Sequence, residues 1–315
     1  MSIQSKIQQN YPLAPFSTFK IGGAAQYFVE VNTKEEVEEV FAFAKENNLV
    51  ITLLGGGSNI LVADQGVKGL VIKLNNTELK LNETEIICGA SARVWDIAQL
   101  AVDNNLGGME WAIGIPGSVG GAVRGNAGAH GGSFDKITES VKVFNSLTCL
   151  WEDYKIDQCG FEYRHSMFKE NPHFIIWEVL LRLAVTEDKS VLEDKIKEYK
   201  KYRQDCQPKE PSAGCIFKNL FINDIEKVNL ALAEEIKGAD KVRGGKVGAG
   251  YLIEKLGLKG YKSGGAMISQ QHANFIVNIN QATAKDVIEI IKKVQLVVKE
   301  SFNIELKEEV QYLGF

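Results

Sequence analysis

The sequence predicts an α+β fold, in which strands and helices are mixed rather than arranged as a regular strand–helix alternation. Three observations support this prediction. Short apolar or β-branched runs recur between glycine and asparagine clusters, and amphipathic helical patterns separate only some of these runs. The chain also lacks both the G-x-G-x-x-G of a Rossmann unit and the G-x-x-x-x-G-K-[ST] of a P-loop.

Start and stop signals define the elements of the first hundred residues. Thr33-Lys34-Glu35-Glu36 has the pattern of a capping box, and the helix that it opens ends at Asn47-Asn48. Trp95 begins the apolar stripe of a second helix, which ends at Asn104-Asn105. The predicted strands of this part are residues 49–54, 60–62, 70–75 and 79–88.

The rest of the chain contains two extended runs and two long helices. Residues 141–147 and 174–185 are rich in β-branched and aromatic residues, which is typical of strands. A charged helix follows and ends near Gln207-Pro208, where we expect a domain boundary. The last helix is opened by Thr283 and is predicted to bury one face, formed by Val287, Ile290, Ile291, Val294, Val297 and Val298.

Composition excludes several classes of protein. A chain of 315 residues suggests two or three domains, and its net charge of 36 − 40 = −4 without a basic block gives no nucleic-acid footprint. The start, MSIQSKIQQN, lacks the apolar stretch of a secretory signal, and no run of about 18 apolar residues could span a membrane. We therefore expect a cytoplasmic protein without membrane insertion.

The cysteines and histidines show no metal motif. The five cysteines are scattered without a C-x-x-C pair, and the four histidines do not form H-E-x-x-H. We therefore expect no metal site and no disulfide, with reduced and mostly buried thiols.

Two glycine clusters are the strongest functional signal. Residues 107–132 hold ten of the chain's thirty glycines, a density that packing alone hardly explains. Residues 55–59, Gly-Gly-Gly-Ser-Asn, form a second cluster between two predicted strands. Backbone N–H groups without neighbouring Cβ atoms can converge on an anion, so both loops are predicted to hold a ligand such as a diphosphate. The alternative for the second cluster is a glycine-rich hairpin without a ligand.

Eight segments, taken in order along the chain, form a specific set of motifs: Thr18–Gly23, Gly55–Asn59, Gly114–Ala122, Asn126–Ala129, Tyr163–Phe168, Gly214–Asn219, His272–Asn278 and Glu309-Val310. These motifs resemble those of the UDP-N-acetylenolpyruvoylglucosamine reductase (MurB) family, in the shorter form of that family. The resemblance covers nearly all of the chain.

The resemblance implies non-covalent FAD on a fold of the vanillyl-alcohol-oxidase (PCMH) type, which is not a Rossmann fold. It assigns residues 1–75 and 76–205 to two FAD-binding subdomains and residues 206–298 to a substrate domain. Residues 299–315 would return Glu309 to the FAD-binding region. The residues implied to bind FAD are Gly55, Gly56, Gly57, Ser58, Asn59, Ile60, Ile115, Pro116, Gly117, Ser118, Gly120, Gly121, Asn126, Ala127 and Gly128.

The implied reaction reduces UDP-N-acetylglucosamine enolpyruvate to UDP-N-acetylmuramate in peptidoglycan precursor synthesis. Hydride would pass from NADPH through flavin N5 to the substrate. By family match, Arg164 would stabilise the charge that develops at the substrate carboxylate, and Glu309 would contact that carboxylate. Lys218 and Asn219 are implied contacts of the UDP moiety, and Arg203 is a further candidate for the substrate phosphates.

The chain departs from the family at the proton donor. The family has serine in G-S-x-F-K-N, whereas this chain has Cys215. A thiol, with a reference pKa of about 8.5, is a better acid than an alcohol and can donate the proton in its place while it stays protonated. The alternative is a small buried thiol without chemistry.

Two further features complete these expectations. Arg164 and Cys215 are only 51 positions apart, so the tyrosine-bearing insertion that caps the substrate in the longer form of the family is not expected here.

We expect a monomer that binds its small-molecule substrate and NADPH. The competing functions are an FAD-dependent alcohol or sugar oxidase of the same fold and a non-catalytic flavin- or nucleotide-sugar-binding protein.

Overall fold

The computed structural model describes residues 2–186 and 188–315. The chain divides into two compact units, and neither is a single continuous segment. Unit 1 comprises residues 1–11, 25–56 and 68–205, and unit 2 comprises residues 12–24, 57–67 and 206–315. The predicted division into two FAD-binding subdomains and a substrate domain stays a prediction.

The first sheet of unit 1 has the strand order Gln8–Pro12, Ala24–Val31, Val67–Leu74 and Ile51–Leu54. Its last two strands pair in parallel, with Ile51 opposite Leu70. Helix Lys34–Glu46 connects Ala24–Val31 to Ile51–Leu54 and buries Val37, Val40 and Ala44. The Thr33 cap is confirmed, because its Oγ1 accepts from the N–H of Glu36 at 3.2 Å.

The second sheet of unit 1 is antiparallel, in the order Leu150–Lys155, Thr138–Asn145, Phe174–Arg182, Glu85–Gly89 and Leu79–Asn82. The prediction of one strand over residues 79–88 is wrong, because these residues form a hairpin in which Asn82 pairs with Glu85. Glu83 takes a positive φ of 51° in the two-residue turn. An ordinary Glu-Thr pair carries no signal for such a turn, so the sequence pattern missed it.

The remaining elements of unit 1 pack on this sheet or connect its strands. Helix Val94–Asp103 buries Val94, Ile97, Ala98, Ala101 and Val102 in one apolar cluster with the sheet. The other helices of the unit are Val119–Arg124, Met167–Glu170 and Lys189–Cys206. Short strands pair as Leu106–Gly107 with Ala184–Val185 and as Gly128–Ala129 with Gly132–Ser133. Single 3-10 turns occupy Ile3–Lys6, Glu110–Ala112, Phe134–Lys136 and Ile156–Gln158.

Unit 2 has an antiparallel sheet in the order Ser212–Cys215, Phe275–Asn278, Ala266–Ile268 and Lys262–Ser263. A smaller sheet has the order Leu220–Phe221, Lys246–Val247 and Val242–Arg243. The C-terminal strand Gln311–Leu313 pairs in parallel with Ile60–Val62. The 3-10 turn Ala14–Phe16 and the helices Ile222–Val228, Leu230–Gly238, Ala249–Lys255 and Ala284–Phe302 complete the unit.

Helix Ala284–Phe302 supplies the main apolar face of unit 2. Thr283 caps it as predicted, and the described stripe is buried except for Val297, which is half-buried. Asp64 adds a second cap, because its two carboxylate oxygens accept from the N–H groups of Ala284 at 2.7 Å and Lys285 at 3.1 Å. A carboxylate at a helix N-terminus satisfies free donors and complements the helix dipole.

Replacing Asp64 by alanine should therefore destabilise the protein by about 1 kcal/mol, the usual cost of a lost helix cap. The measurement is the shift of the urea midpoint, with Gln65→Ala as the neighbouring control. Asp64→Asn should lose less, because one acceptor oxygen remains. Equal midpoints for Asp64→Ala and the wild type would show that the Thr283 cap alone sustains this helix.

Candidate active site

Two glycine-bearing loops meet in unit 1. The N–H of Gly56 donates to Ser118 Oγ at 3.1 Å. A Cβ atom at position 56 would lie 2.5 Å from the backbone nitrogen of Ser118 and 2.6 Å from the Cα atom of Gly117. Only glycine permits this approach, so the two loops present backbone rather than side chains at their meeting point.

The second loop is anchored to the turn between strand Glu85–Gly89 and helix Val94–Asp103. The N–H of Val119 donates to the carbonyl of Ala92 at 2.9 Å, and that of Gly120 to the carbonyl of Ala90 at 2.8 Å. The expectation that successive N–H groups of this segment converge on an anion is therefore wrong for these two groups, because they already have backbone acceptors.

Packing accounts for part of the glycine density. A Cβ atom at Gly132 would overlap the indole ring of Trp111. That ring is held in place because its Nε1–H donates to the carbonyl of Gly108 at 2.8 Å. Glycine at position 132 is therefore required by the packing of the Trp111 ring in unit 1. At this position the expectation that packing explains little of the glycine cluster is wrong.

Arg164 lies in a tight turn of unit 1. Glu162 and His165 exchange backbone hydrogen bonds of 3.1 Å in both directions, and Arg164 between them has a positive φ of 56°. Residues other than glycine rarely adopt this left-handed backbone conformation, and residues that do adopt it cluster at functional sites. The guanidinium carbon lies 5.6 Å from the centroid of the Tyr163 ring.

The turn is tied to the predicted FAD segment by two buried polar side chains. Asn126 Nδ2 donates to the carbonyl of Glu162 at 2.9 Å, and its Oδ1 accepts from the N–H of Asp135 at 3.1 Å. Ser166 Oγ donates to the carbonyl of Arg124 at 2.7 Å. Asn126 therefore positions the Arg164 turn, a role that its place in a glycine-rich motif did not indicate.

Arg203 contacts the same FAD segment from helix Lys189–Cys206. Its Nε–H donates to the carbonyl of Ile113 at 2.9 Å. A Cβ atom at Gly114 would lie 2.9 Å from Arg203 Cδ, so a larger residue at 114 would displace the arginine. The assignment of Arg203 to the substrate phosphates stays a prediction.

In unit 2, the segment with Cys215 is built around one buried amide. Asn274, 2% exposed, accepts at Oδ1 from the N–H of Phe217 at 3.0 Å and donates from Nδ2 to the carbonyl of Phe217 at 2.8 Å. Its carbonyl accepts from the N–H of Ile216 at 2.8 Å. Sequence reasoning noted the motif around Asn274 without giving this residue a role; an asparagine beside a buried strand was the available signal.

The same segment pairs with the C-terminal part of the chain. The N–H of Glu309 donates to the carbonyl of Ile216 at 2.7 Å, and the N–H of Lys218 donates to the carbonyl of Lys307 at 2.9 Å. Asn59 Nδ2 donates to the carbonyl of Glu309 at 3.1 Å. Unit 2 thus brings together three sequence-predicted site segments: the one with Cys215, the one with Glu309 and the end of the Gly-Gly-Gly-Ser-Asn loop.

The other predicted site residues divide between the units. Arg164 and Arg203 lie in unit 1, whereas Lys218 and Asn219 lie in unit 2. The predicted FAD contacts of unit 1 are Gly55, Gly56, Ile115, Pro116, Gly117, Ser118, Gly120, Gly121, Asn126, Ala127 and Gly128. Those of unit 2 are Gly57, Ser58, Asn59 and Ile60.

A cavity of about 540 Å³ opens in unit 1 beside the hairpin at residues 128–133. His130 borders it and stacks on Tyr199, with ring centroids 4.1 Å apart. Lys195 Nζ lies 3.6 Å from the carboxylate of Glu110, and Arg182 pairs with two other carboxylates. Lys195 and Arg182 are thus paired with carboxylates within the unit, whereas Lys136, which also lines the cavity, donates to the carbonyl of Gly131 at 2.7 Å.

The five cysteines are all free thiols. Cys88 and Cys159 are buried, and burial raises the pKa of the Cys159 thiol to about 12. The expectation of mostly buried thiols is wrong for the others, since Cys149 is exposed and Cys206 and Cys215 are half-buried. Cys149 lies in the turn after strand Thr138–Asn145. Among residues 2–186 and 188–315, no group of three or more His, Cys, Asp or Glu side chains could hold a metal.

His272 supports the Asn274 motif. Its Nδ1 accepts from the N–H of Asn274 at 3.2 Å, and burial lowers its pKa. A lowered folded-state pKa means that the unfolded chain binds more protons below pH ~6.5, so stability falls as pH drops through that range.

Replacing His272 by asparagine should reduce the loss of folding stability at acidic pH, because Asn Oδ1 can accept the same hydrogen bond without titrating. Urea unfolding between pH 7 and pH 5 measures the effect. If wild type and variant lose stability in parallel over this range, His272 is not the titrating group.

The geometry fits FAD. Glycine at position 56 lets the two loops meet main chain to main chain, and Gly55, Gly56 and Pro116 are exposed there, as expected where a flat or anionic group lies on the main chain. Two protein-family models match this chain. An FAD-binding domain matches residues 25–148, and the C-terminal domain of UDP-N-acetylenolpyruvoylglucosamine reductase matches residues 207–313.

Curated relatives extend the match to the whole chain. The UDP-N-acetylenolpyruvoylglucosamine reductases of Carboxydothermus hydrogenoformans and Bacillus pumilus are 38% and 36% identical. They cover 99% and 98% of this chain and 95% and 94% of their own. The crystal structure of the enzyme from Thermus caldophilus superposes with a TM-score of 0.76 at 33% identity and covers 96% of this chain and 97% of its own.

The fold and the site therefore define an FAD-containing oxidoreductase, and the predicted α+β fold class is confirmed. The chain belongs to the UDP-N-acetylenolpyruvoylglucosamine reductase, or MurB, family. Its reductase function accordingly lies in peptidoglycan synthesis. In the part of the chain that the structure describes, no helix combines the length and apolar character needed to cross a bilayer.

Proposed function

We propose that this protein reduces UDP-N-acetylglucosamine enolpyruvate to UDP-N-acetylmuramate with NADPH as the electron donor. The curated relatives are named for the reduction of this substrate. The observation that carries the proposal is the backbone pairing of the Cys215 segment with the Glu309 segment, which holds a thiol and a carboxyl group on adjacent stretches of one unit.

Bound FAD supplies the two-electron chemistry that takes hydride from NADPH and delivers it to the enolpyruvyl double bond. The residues proposed to hold it are the predicted FAD contacts named above in the two glycine loops. When hydride adds to the methylene carbon, the neighbouring carbon becomes electron-rich and its charge spreads onto the carboxylate. Arg164 is proposed to stabilise this charge, and Glu309 to contact the same carboxyl group.

Cys215 is proposed to give its Sγ proton to the electron-rich carbon, which completes the saturated lactyl ether. The resulting thiolate then recovers a proton from solvent. Lys218 and Asn219 are proposed to bind the UDP moiety, with Arg203 a further candidate for the phosphates. The proposal also includes a monomer in the cytoplasm, which size-exclusion chromatography and cell fractionation test.

An anaerobic experiment tests the function. The purified yellow protein is bleached with NADPH, and UDP-N-acetylglucosamine enolpyruvate is then added. Prompt return of the oxidised flavin spectrum with formation of UDP-N-acetylmuramate is the expected result. A protein that stays bleached until air is admitted would instead identify an oxidase, and a protein that binds no FAD would overturn the assignment of its loops.

A further inference from the structure

Thr18 joins two segments of unit 2 that the proposed reaction uses. Its N–H donates to the carbonyl of Gly57 at 3.0 Å. Its Oγ1 lies 2.7 Å from the carbonyl oxygen of Ser212 and 3.4 Å from that of Gly57. A hydroxyl group carries one proton, and the shorter distance assigns that proton to Ser212. Thr18 thus holds a predicted FAD contact through its main chain and the strand of Cys215 through its side chain.

The strand Ser212–Cys215 is irregular immediately before the thiol. Between Ser212 and Cys215 its pairing with strand Phe275–Asn278 shifts by one residue, because two residues of the first strand lie opposite one of the second. Gly214, one of these two, has a positive φ of 76°. A bulge of this kind bends the strand and changes the direction of a neighbouring side chain, and bulges are common beside active sites. The direction of the Cys215 side chain therefore depends on how the bulge is held.

Hydrogen bonds hold the bulge at both ends. After Cys215, the N–H of Ile216 donates to the carbonyl of Asn274 at 2.8 Å. At the other end, the carbonyl of Ser212 accepts from Thr18 Oγ1 at 2.7 Å. The Ser212 side chain also contributes, because its Oγ accepts from the N–H of Gly214 at 3.4 Å. Thr18 is thus the residue from outside this sheet that fixes the start of the bulge.

The position of Thr18 is itself fixed by its neighbour in the chain. Phe19 is fully buried in the apolar cluster that also contains Ala213 and Ile216, on either side of the thiol segment. The carbonyl of Phe19 accepts from Asn278 Nδ2 at 3.2 Å. The Thr18 hydroxyl is therefore presented from the packed core of unit 2, as a group that positions another must be.

We propose that Thr18 is a positioning residue for the proton transfer, because its hydroxyl holds the Ser212 carbonyl and so sets the bulge that directs Cys215 Sγ. This inference rests on the proposed function, because it takes Cys215 as the proton donor. A misplacement of about 1 Å at a reacting group can cost about 10²-fold in rate. Thr18 accordingly controls the rate of the substrate half-reaction through the placement of the thiol.

Anaerobic stopped-flow absorbance of the FAD-loaded protein tests this role. Thr18→Val keeps the shape of the side chain and the N–H that Gly57 accepts, but it loses the hydroxyl. The limiting rate of flavin reoxidation by UDP-N-acetylglucosamine enolpyruvate should fall roughly ten- to hundredfold. The substrate concentration at half-saturation, the FAD content and the rate of reduction by NADPH should stay unchanged. Thr18→Ser, which restores the hydroxyl, should restore the rate.

Thr138→Val is the matched control. Thr138 is 3% exposed, and its Oγ1 has no hydrogen-bond partner among the residues that the structure describes. The same substitution therefore removes no hydrogen bond there and should change neither half-reaction. Folding of Thr18→Val should persist, because the N–H of Asn278 still ties the sheet to the carbonyl of Pro211 at 2.8 Å. If the valine variant nevertheless fails to fold, Thr18→Cys, whose S–H is a weak donor, should show the same slower reoxidation.

A double-mutant cycle with Cys215→Ala tests whether Thr18 acts through the thiol. In the Cys215→Ala protein, Thr18→Val should slow reoxidation no further, because residues that act as one unit have non-additive effects. If the two losses multiply instead, Thr18 acts independently of Cys215 and the positioning role is overturned.

The other failures are distinguishable. A wild-type limiting rate in Thr18→Val would overturn the positioning role and leave the proposed reductase intact. Loss of FAD, or equal slowing of both half-reactions, would show that Thr18 supports the cofactor loop rather than the thiol, which also overturns the inference. A wild-type protein that NADPH bleaches but the enolpyruvyl substrate does not reoxidise would overturn the proposed function itself.

Discussion

Replacing Cys215 by alanine should slow reoxidation of the reduced enzyme by its substrate on the order of 10² to 10⁴-fold, the usual contribution of a positioned general acid. Reduction of the enzyme by NADPH should be unchanged, because that half-reaction needs no proton from this side chain. The backbone of the segment is held by Asn274 and by Glu309 N–H, so the loss of Sγ leaves its path intact. Stopped-flow absorbance under anaerobic conditions measures both half-reactions.

Two further variants show whether this loss of rate is due to the Cys215 thiol. Cys206→Ala removes another half-buried thiol and should keep both rates. Cys215→Ser should retain most of the activity but lose the alkaline decline expected of the wild type, because a thiolate cannot donate and thiols ionise near pH ~8.5. If Cys215→Ala is reoxidised at the wild-type rate, the proton comes from another group and the thiol has no catalytic part.

Replacing Gly56 by alanine should cost the protein its FAD. The added Cβ atom would lie 2.5 Å from the Ser118 nitrogen, and backbone on both sides of the contact cannot yield as a flexible side chain would. Overpacking of this kind costs about 1–3 kcal/mol, enough to lower FAD affinity roughly five- to 150-fold if the loops separate. The ratio of flavin to protein absorbance after purification, followed by titration with FAD, measures the loss.

Gly125→Ala is the matched control for this variant. It lies in the same glycine-rich segment, but the Cβ atom that it adds would meet only the carbonyl of Gly121 at 3.6 Å, an ordinary contact. This variant should purify with its full complement of FAD. Full occupancy in Gly56→Ala as well would mean that the close contact of the two loops is dispensable for the cofactor.

Local signals in the sequence determined many elements of this protein. Thr33 and Thr283 both proved to be N-caps because a cap depends on residues within one helical turn. The apolar stripe of helix Ala284–Phe302 was predictable for the same reason, since its period is written in consecutive residues. The order of family motifs likewise indicated FAD and the reductase function, because motif order survives when most other positions change.

Only the tertiary structure decided which distant segments meet. Residues 12–24 and 57–67 belong to the unit formed by the C-terminal third, and Asn59 contacts Glu309 across 250 positions. Asn274 organises the Cys215 segment through two side-chain hydrogen bonds to Phe217, and Asn126 holds the Arg164 turn through one to Glu162. Such long-range pairs leave no periodic pattern in the chain. Loop length does not identify them either, because the entropy cost of closing a loop grows only slowly with its length, so that many pairs of distant segments could meet at similar cost.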